Sequence, residues 1–255
     1  MTRHAMLLKL CAYSDFIPLP TKTLYQTMTP VVWLANNLTH YHRARADAFA
    51  QICPQQFTVL ELSNEDSFAS LQSDRCAVAS VKTLFPGRRL QDIKKREIRA
   101  AIKRFLDEVS ASVCCLNGWG LPGSATMLSW AIDHRVPCVL MSETNAHDSQ
   151  SAWWKEMIKR RFVEHCGAAL VGGSWHRDYL VELGMSASRI FNGYDAVDNL
   201  HFQTGADAAR RDSDAVRSSL NLPLEYFFAC ARFEPKKNLQ RLIEGYGVYA
   251  RKIQS

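Results

Sequence analysis

The stretch "VVWLANNLTHYHRARADAFAQICPQQFTVLEL" (31–62) decides the fold. "VVWLA" (31–35) and "FTVLEL" (57–62) are apolar runs of strand length, and between them a polar loop, "NNLTHYH" (36–42), leads into a helical segment, "RARADAFAQI" (43–52). A strand with one wet face alternates apolar and polar residues. A run that is apolar throughout needs cover on both faces, as in a parallel sheet whose crossovers are helices. The alternation continues, with "CAVASV" (76–81), "SVCCL" (112–116), "PCVLMS" (137–142) and "AALVGG" (168–173) reading as further strands. Ile98, Ile102, Phe105 and Val109 recur at helical spacing before the fourth run, and "SATMLSWAIDH" (124–134) fills the next gap. After the sixth run Ser174 reads as the N-cap of a helix that Gly184 ends. The expected class is therefore α/β, a doubly wound parallel sheet of Rossmann-like type, with ligand loops at the carboxyl ends of its strands.

Four segments follow. Residues 1–30 lack periodicity and read as a low-order extension, and 31–202 hold the sheet domain. The polar stretch "QTGADAARRDSDAVRSSLN" (203–221) reads as a linker with one short helix. In 222–255, "LEYFFACA" (224–231) has the pattern of a buried strand, and Leu239, Leu242, Ile243, Tyr246 and Tyr249 fall on one face of a helix. One strand and one helix cannot bury a core. The expectation is an incomplete second α/β domain, from either a truncated chain or a natural short protein.

Across 255 residues the apolar fraction of 47% suffices for a large core, and the net charge of +6 with pI near 8.9 suits anionic partners as well as an inert surface. The eight cysteines form no CxxC pair and sit mostly in apolar runs, which indicates small buried hydrophobes in a reducing compartment, with no zinc site and no disulfide framework. No apolar run approaches the ~20 residues needed to span a bilayer. A cytoplasmic protein is expected, touching a membrane at most from one side.

Three kinds of stretch bear on chemistry. In "ARFEPKKN" (231–238), Arg232 ends the expected strand and Lys237 stands where a helix begins, so two cations beside free amides could cradle a diphosphate; a solvated basic turn fits the same spacing. "SETNAHDS" (142–149) occupies the loop after the fifth run, with Glu143, Thr144 and His147 as candidate ligand contacts; His147 titrates near neutrality and could orient a hydroxyl, or be structural. Asn36, Asn37, Thr39 and His40, and Asn117 and Gly118 of "NGWG" (117–120), lie in equivalent loops. Finally, two basic helices stand out. "RRLQDIKKREIRAAIKRF" (88–105) sets Lys95, Arg99 and Lys103 opposite its apolar stripe, and "AWWKEMIKRRFVEHC" (152–166) joins Trp153 and Trp154 to Lys155, Lys159, Arg160 and Arg161. The second has the pattern of a membrane-surface contact as well as that of a solvated face. No GxGxxG, P-loop or GxSxG stretch occurs, and nothing resembles an RNP or OB pattern, so dinucleotide, nucleoside-triphosphatase, hydrolase and nucleic-acid readings lack support.

Taken in order, the stretches resemble glycosyltransferase family 4, enzymes of the two-domain GT-B architecture. The most specific parts are "ALVGGSWHRDYLVELGMSASRIFNGYDAVDNLHF" (169–202), similar to the family's strand, helix and "NG.D…F" turn, and "FFACARFEPKKNLQRLIEGY" (227–246), similar to its "GR…P.KG…LI.A" stretch. The resemblance implies transfer of a sugar from a nucleotide-diphosphate sugar to a hydroxyl acceptor, with retention and with neither an obligatory metal nor a cofactor. It assigns the donor diphosphate to Arg232 and Lys237, and gives His147 a catalytic place near the donor sugar and acceptor. Two features depart from it. The first loop reads "NNLTHYHR" where the family is glycine-rich, and the acidic residues that the family's second domain turns toward donor sugar and ribose would lie beyond Ser255. The chain by itself is thus expected to lack transfer activity, and a non-catalytic module binding a nucleotide, an acceptor or a protein partner is the alternative.

Overall fold

In a computed structural model the described residues are 30–53, 56–65, 78–147 and 152–253; the expected extension lies almost wholly outside them. The central strand β1 (Val31–Ala35) is buried at every position and pairs in parallel with β2 (Phe57–Glu65) on one side and β4 (Val113–Asn117) on the other. With β3 (Ser80–Arg89), β5 (Cys138–Ser142), β6 (Ala168–Val171) and β7 (Ile190–Asn192) it forms a seven-stranded sheet in the order β3-β2-β1-β4-β5-β6-β7, every pairing parallel. This is the doubly wound arrangement.

Both faces of the sheet are covered, as the continuous apolar runs require. Val32 and Leu34 of β1 and Leu60 and Leu62 of β2 point into one core, with Ile98, Ile102 and Leu106 of α2 (Lys95–Glu108), Met127 and Trp130 of α3 (Ser124–Asp133), Phe162 and Val163 of α4 (Trp153–Glu164), and Tyr179 and Leu180 of α5 (Ser174–Glu182). Val31, Trp33, Phe57 and Val59 point to the other, where Ala46 and Ala50 of α1 (His40–Ile52) cover them. Cys53, Cys114, Cys138 and Cys166 are buried and Cys115 half-buried, whereas Cys230 is exposed. Among the described residues no helix is long and apolar enough to cross a membrane.

Several expectations are corrected. The helix after β1 starts at His40, so residues 40–42 are helical and not loop; Thr39 holds the extended N-cap position. Strand β3 begins only at Ser80 and carries Pro86, which an edge strand tolerates because its outer N–H groups need no partner; Cys76 and Ala77 of the expected run lie outside the described residues. Ser174 is the first helical residue instead of a cap, because Gly173 takes the cap position.

Residues from Asn199 onward form a separate compact unit. The expected linker is helical, as α6 (Asn199–Arg211) and α7 (Ser213–Ser219), the second capped by Asp212, whose carboxylate accepts from the Ala215 N–H. Residues 224–231, expected to be a buried strand, form none, and Phe227 and Phe228 are 71% and 80% exposed. A strand needs a neighbour to take its N–H and C=O groups, and none is offered among the described residues of this unit. Phe227 instead packs its ring on Tyr246 and Tyr249 of α8 (Leu239–Ile253), at 5.5 and 5.1 Å between centroids.

Leu34, fully buried where β1 meets Gly123, tests the central packing: both of its methyl groups lie within 3.3 Å of the Cβ position at Gly123. Leu34→Ala removes that contact with little room for collapse and is expected to destabilise the sheet unit by about 2–5 kcal/mol. Urea unfolding followed by near-ultraviolet circular dichroism measures it, and a loss below about 1 kcal/mol contradicts the packing described.

Candidate functional site at the carboxyl edge of the sheet

Because all seven strands run parallel, the segments after β1, β4, β5, β6 and β7 leave one edge of the sheet. The strand order reverses between β1 and β4, and at such a switch point the loops diverge and leave a crevice. Three of the expected candidates, Asn36, Asn37 and Thr39, lie in the loop after β1, and the fourth, His40, opens α1. Asn37 Nδ2 donates to the Ser63 carbonyl at 3.3 Å, and Thr39 Oγ1 lies 2.8 Å from His42 Nδ1. His40 is exposed and its ring meets Tyr41 edge-on. Asn36 has a buried Oδ1 that meets no hydrogen-bond donor among the described residues. The loop is anchored from beneath by Glu61, 3% exposed, whose carboxylate accepts from the Leu38 N–H at 2.9 Å and the Thr83 hydroxyl at 2.7 Å.

Asn117, at the end of β4, is held by two donors: its Oδ1 accepts from Trp33 Nε1 at 2.8 Å and from the Tyr194 hydroxyl at 3.2 Å. Gly118 follows with φ +66°, a left-handed turn that glycine enters without strain, and its N–H donates to the Met141 carbonyl at 2.7 Å. Thr144 donates its N–H to Ser142 Oγ at 3.2 Å. His147 donates its N–H to Asn145 Oδ1 at 2.8 Å and tilts its ring against Trp175, 5.2 Å away, at the start of α5; Asp148 and Ser149 of the same expected loop lie outside the described residues.

The chemical centre of this edge is a pair of carboxyl groups. Glu143, just beyond β5, hydrogen-bonds Asp195, just beyond β7; burial, that hydrogen bond and the like charge push Glu143 up to about 7 against the downward pull of Arg45. In mildly acidic solution Glu143 is thus protonated, and its carboxyl can donate to Asp195. Its placement depends on Gly172, where a Cβ would come 2.1 Å from Asp195 Oδ2. Arg45 closes the cluster. Its guanidinium donates to the Tyr194 carbonyl and lies over the rings of Tyr194 and Tyr41, at 4.7 and 5.1 Å. Burial raises the Tyr194 phenol, so it remains a donor, while burial with Arg45 and His40 lowers His42 to about 4 and leaves that ring neutral.

Of the expected candidates, then, Asn117 and Glu143 join one hydrogen-bonded and electrostatic cluster, and the loop after β1 flanks the same edge. Arg232 and Lys237 belong to the second unit. There Arg232 pairs with Glu234 at 3.0 Å, and Lys237 is exposed at the end of a single 3₁₀ turn, two residues before α8. Sequence reasoning missed Arg45, Gly172, Tyr194 and Asp195. The available signal was the "NG.D" turn, which places an acid just after a glycine at the sheet edge. Among the described residues no three His, Cys, Asp or Glu side chains are grouped to hold a metal ion.

No family model and no curated protein sequence matches the chain. Among solved structures it is similar to the UDP-N-acetylglucosamine 2-epimerase from Rickettsia bellii, with a TM-score of 0.47 and 9% identity, over 77% of this chain and 52% of that one. It is also similar to the UDP-GlcNAc 2-epimerase from Neisseria meningitidis bound to UDP-GlcNAc (TM-score 0.44, 11% identity, 65% of this chain and 46% of that) and to the one from Methanocaldococcus jannaschii (0.43, 10%, 65% and 45%). The chain spans about half the length of these proteins. Likeness at this level carries nothing about chemistry.

The carboxyl pair makes a direct test. Asp195→Asn removes the like charge, and Gly172→Ala displaces Asp195 by steric overlap; each is expected to lower the Glu143 pKa while burial, the largest cause, still holds it above the usual carboxylate range. Carbon-13 NMR titration of the Glu143 carboxyl reads this out, and an unchanged or higher value in both variants refutes the pairing.

Proposed function

We propose that this chain belongs to a glycosyltransferase of the GT-B architecture, moving a sugar with retention from a nucleotide-diphosphate sugar to a hydroxyl acceptor. Residues 31–198 would supply the acceptor side, and residues 222–255 would contribute to the donor side. The observation that carries the reading is the Glu143–Asp195 pair at the carboxyl edge, set among Asn117, Tyr194 and Arg45. A sugar or polyol hydroxyl both donates and accepts hydrogen bonds, and a carboxyl pair with one proton matches that pattern. The two segments resembling family 4, one of which ends β6 and holds Asp195, support the same reading.

In this mechanism the ionised member of the pair accepts the hydrogen bond of the attacking hydroxyl and orients its oxygen, with His147 as a second positioning group. Arg232 and Lys237 hold the donor diphosphate. Its charge grows as the glycosidic bond breaks, so fixed cations stabilise the transition state more than the ground state. Donor binding and acceptor binding are thereby assigned to different side chains, and mutagenesis can separate them.

With a panel of nucleotide sugars and steady-state kinetics on the full-length enzyme, Lys237→Ala and Arg232→Ala are each expected to lower kcat by the equivalent of about 2–4 kcal/mol, and Lys236→Ala to be nearly neutral. Glu143→Gln should lower kcat/KM for the acceptor by the equivalent of about 1.5–3 kcal/mol and leave the donor KM unchanged. Equal effects at Lys236 and Lys237 would remove the diphosphate assignment. An unaffected Glu143→Gln enzyme would remove the acceptor assignment.

A further inference from the structure

Helix α4 is apolar on the wrong side. Its inner face buries Phe162 and Val163, and Lys159 is turned inward as well, its ammonium donating to Glu156 at 2.7 Å and meeting the Tyr179 hydroxyl at 2.8 Å. The opposite face of a surface helix is ordinarily polar. Here it carries Trp153, Trp154, Met157 and Ile158, 75%, 49%, 58% and 60% exposed, at positions i, i+1, i+4 and i+5 of one stripe. The side chains interspersed with them are cationic: Arg160 and Arg161 are exposed on this side, and the Lys155 ammonium lies 5.4 Å from the Trp154 ring centroid. The acid facing these groups is Glu164, which pairs with Arg161 at 3.0 Å in water, where such pairs count for little.

We propose that this face of α4 docks the protein on an anionic lipid surface, with Trp153, Trp154, Met157 and Ile158 entering the headgroup boundary and Lys155, Arg160 and Arg161 meeting lipid phosphates. Tryptophan suits that boundary because its ring is apolar and its indole N–H still finds a partner, and the long basic side chains keep their charges at the surface while their stems lie among apolar groups. Charge complementarity selects lipid over a second copy of this chain. A second copy of this face would add its own three exposed cations against one acid, a net like-charge cost, whereas lipid phosphates neutralise them. The proposal rests on the surface of α4 and is independent of the transfer reaction.

The test is flotation of the full chain with phosphatidylcholine vesicles, with and without phosphatidylglycerol. Binding is expected only to the anionic vesicles, with a blue shift of tryptophan emission. Each unit of charge at such a surface contributes about fivefold to partitioning, so Arg160→Glu with Arg161→Glu, a change of four units, should weaken binding at least about a hundredfold. Trp153→Ala with Trp154→Ala should weaken it about tenfold or more, since two large apolar contacts are lost. All four positions are exposed, so circular dichroism should show both variants folded. Equal binding to neutral vesicles, or undiminished binding by either variant, overturns the proposal. So does a dimer in size-exclusion chromatography that the tryptophan variant converts to monomer, for the stripe would then be a protein interface.

Discussion

The structure depends on the pairing of β1 with a parallel neighbour on each side. Five residues, Val31 to Ala35, are at most 4% exposed and send alternate side chains into the two cores. A strand so placed contributes to both layers at once, and a slip of one position would exchange every inward contact for the opposite face. The same pairing aligns the carboxyl ends of β2, β1 and β4, and thereby sets Asn36 and Asn117 on one edge. Glu61 completes the constraint. A carboxylate buried in a sheet must find donors, and the Leu38 N–H and Thr83 hydroxyl serve, tying the first loop to two further strands.

Such a frame explains what could be read from the sequence. Strands buried on both faces announce themselves as unbroken apolar runs, so β1, β4 and β5 were legible to within a residue at each end, while β2 runs three residues beyond its expected end and β6 stops two short of it. The helices with a long apolar stripe, α2 above all, were legible for the complementary reason, because Ile98, Ile102 and Phe105 fall on one face. Strand β7 was not. Three residues show no period, and Ile190 to Asn192 become a strand only because β6 offers them an edge. The run at 224–231 shows the converse: strand-forming residues without a neighbouring strand stay irregular.

The site was legible in position and only partly in composition. Loops after parallel strands share an edge by topology, so Asn117 and Glu143 could be named in advance. Asp195 and Tyr194 follow the strand that shows no period, and Arg45 reads as one more cation on a helix surface until β7 brings Tyr194 against it. Gly172 had no separate signal either. Its requirement comes from a side chain more than twenty positions later, approaching where a methyl group would stand. Long-range steric demands of this kind leave no local pattern.

Two of the perturbed groups of the first unit, His42 and Glu143, also shape its exchange of protons with mildly acidic solvent. His42 titrates near 4 when folded against 6.5 unfolded, so between those values unfolding takes up a proton there, and stability due to it rises with pH. Glu143 titrates near 7 when folded against 4.5 unfolded, so across almost the same interval unfolding releases a proton, and stability due to it falls with pH. The two slopes oppose each other. In mildly acidic solution the folded and unfolded forms of this unit carry nearly the same number of protons at these sites. Acidification between about 4.5 and 6.5 therefore leaves the summed contribution of these two sites to stability nearly unchanged.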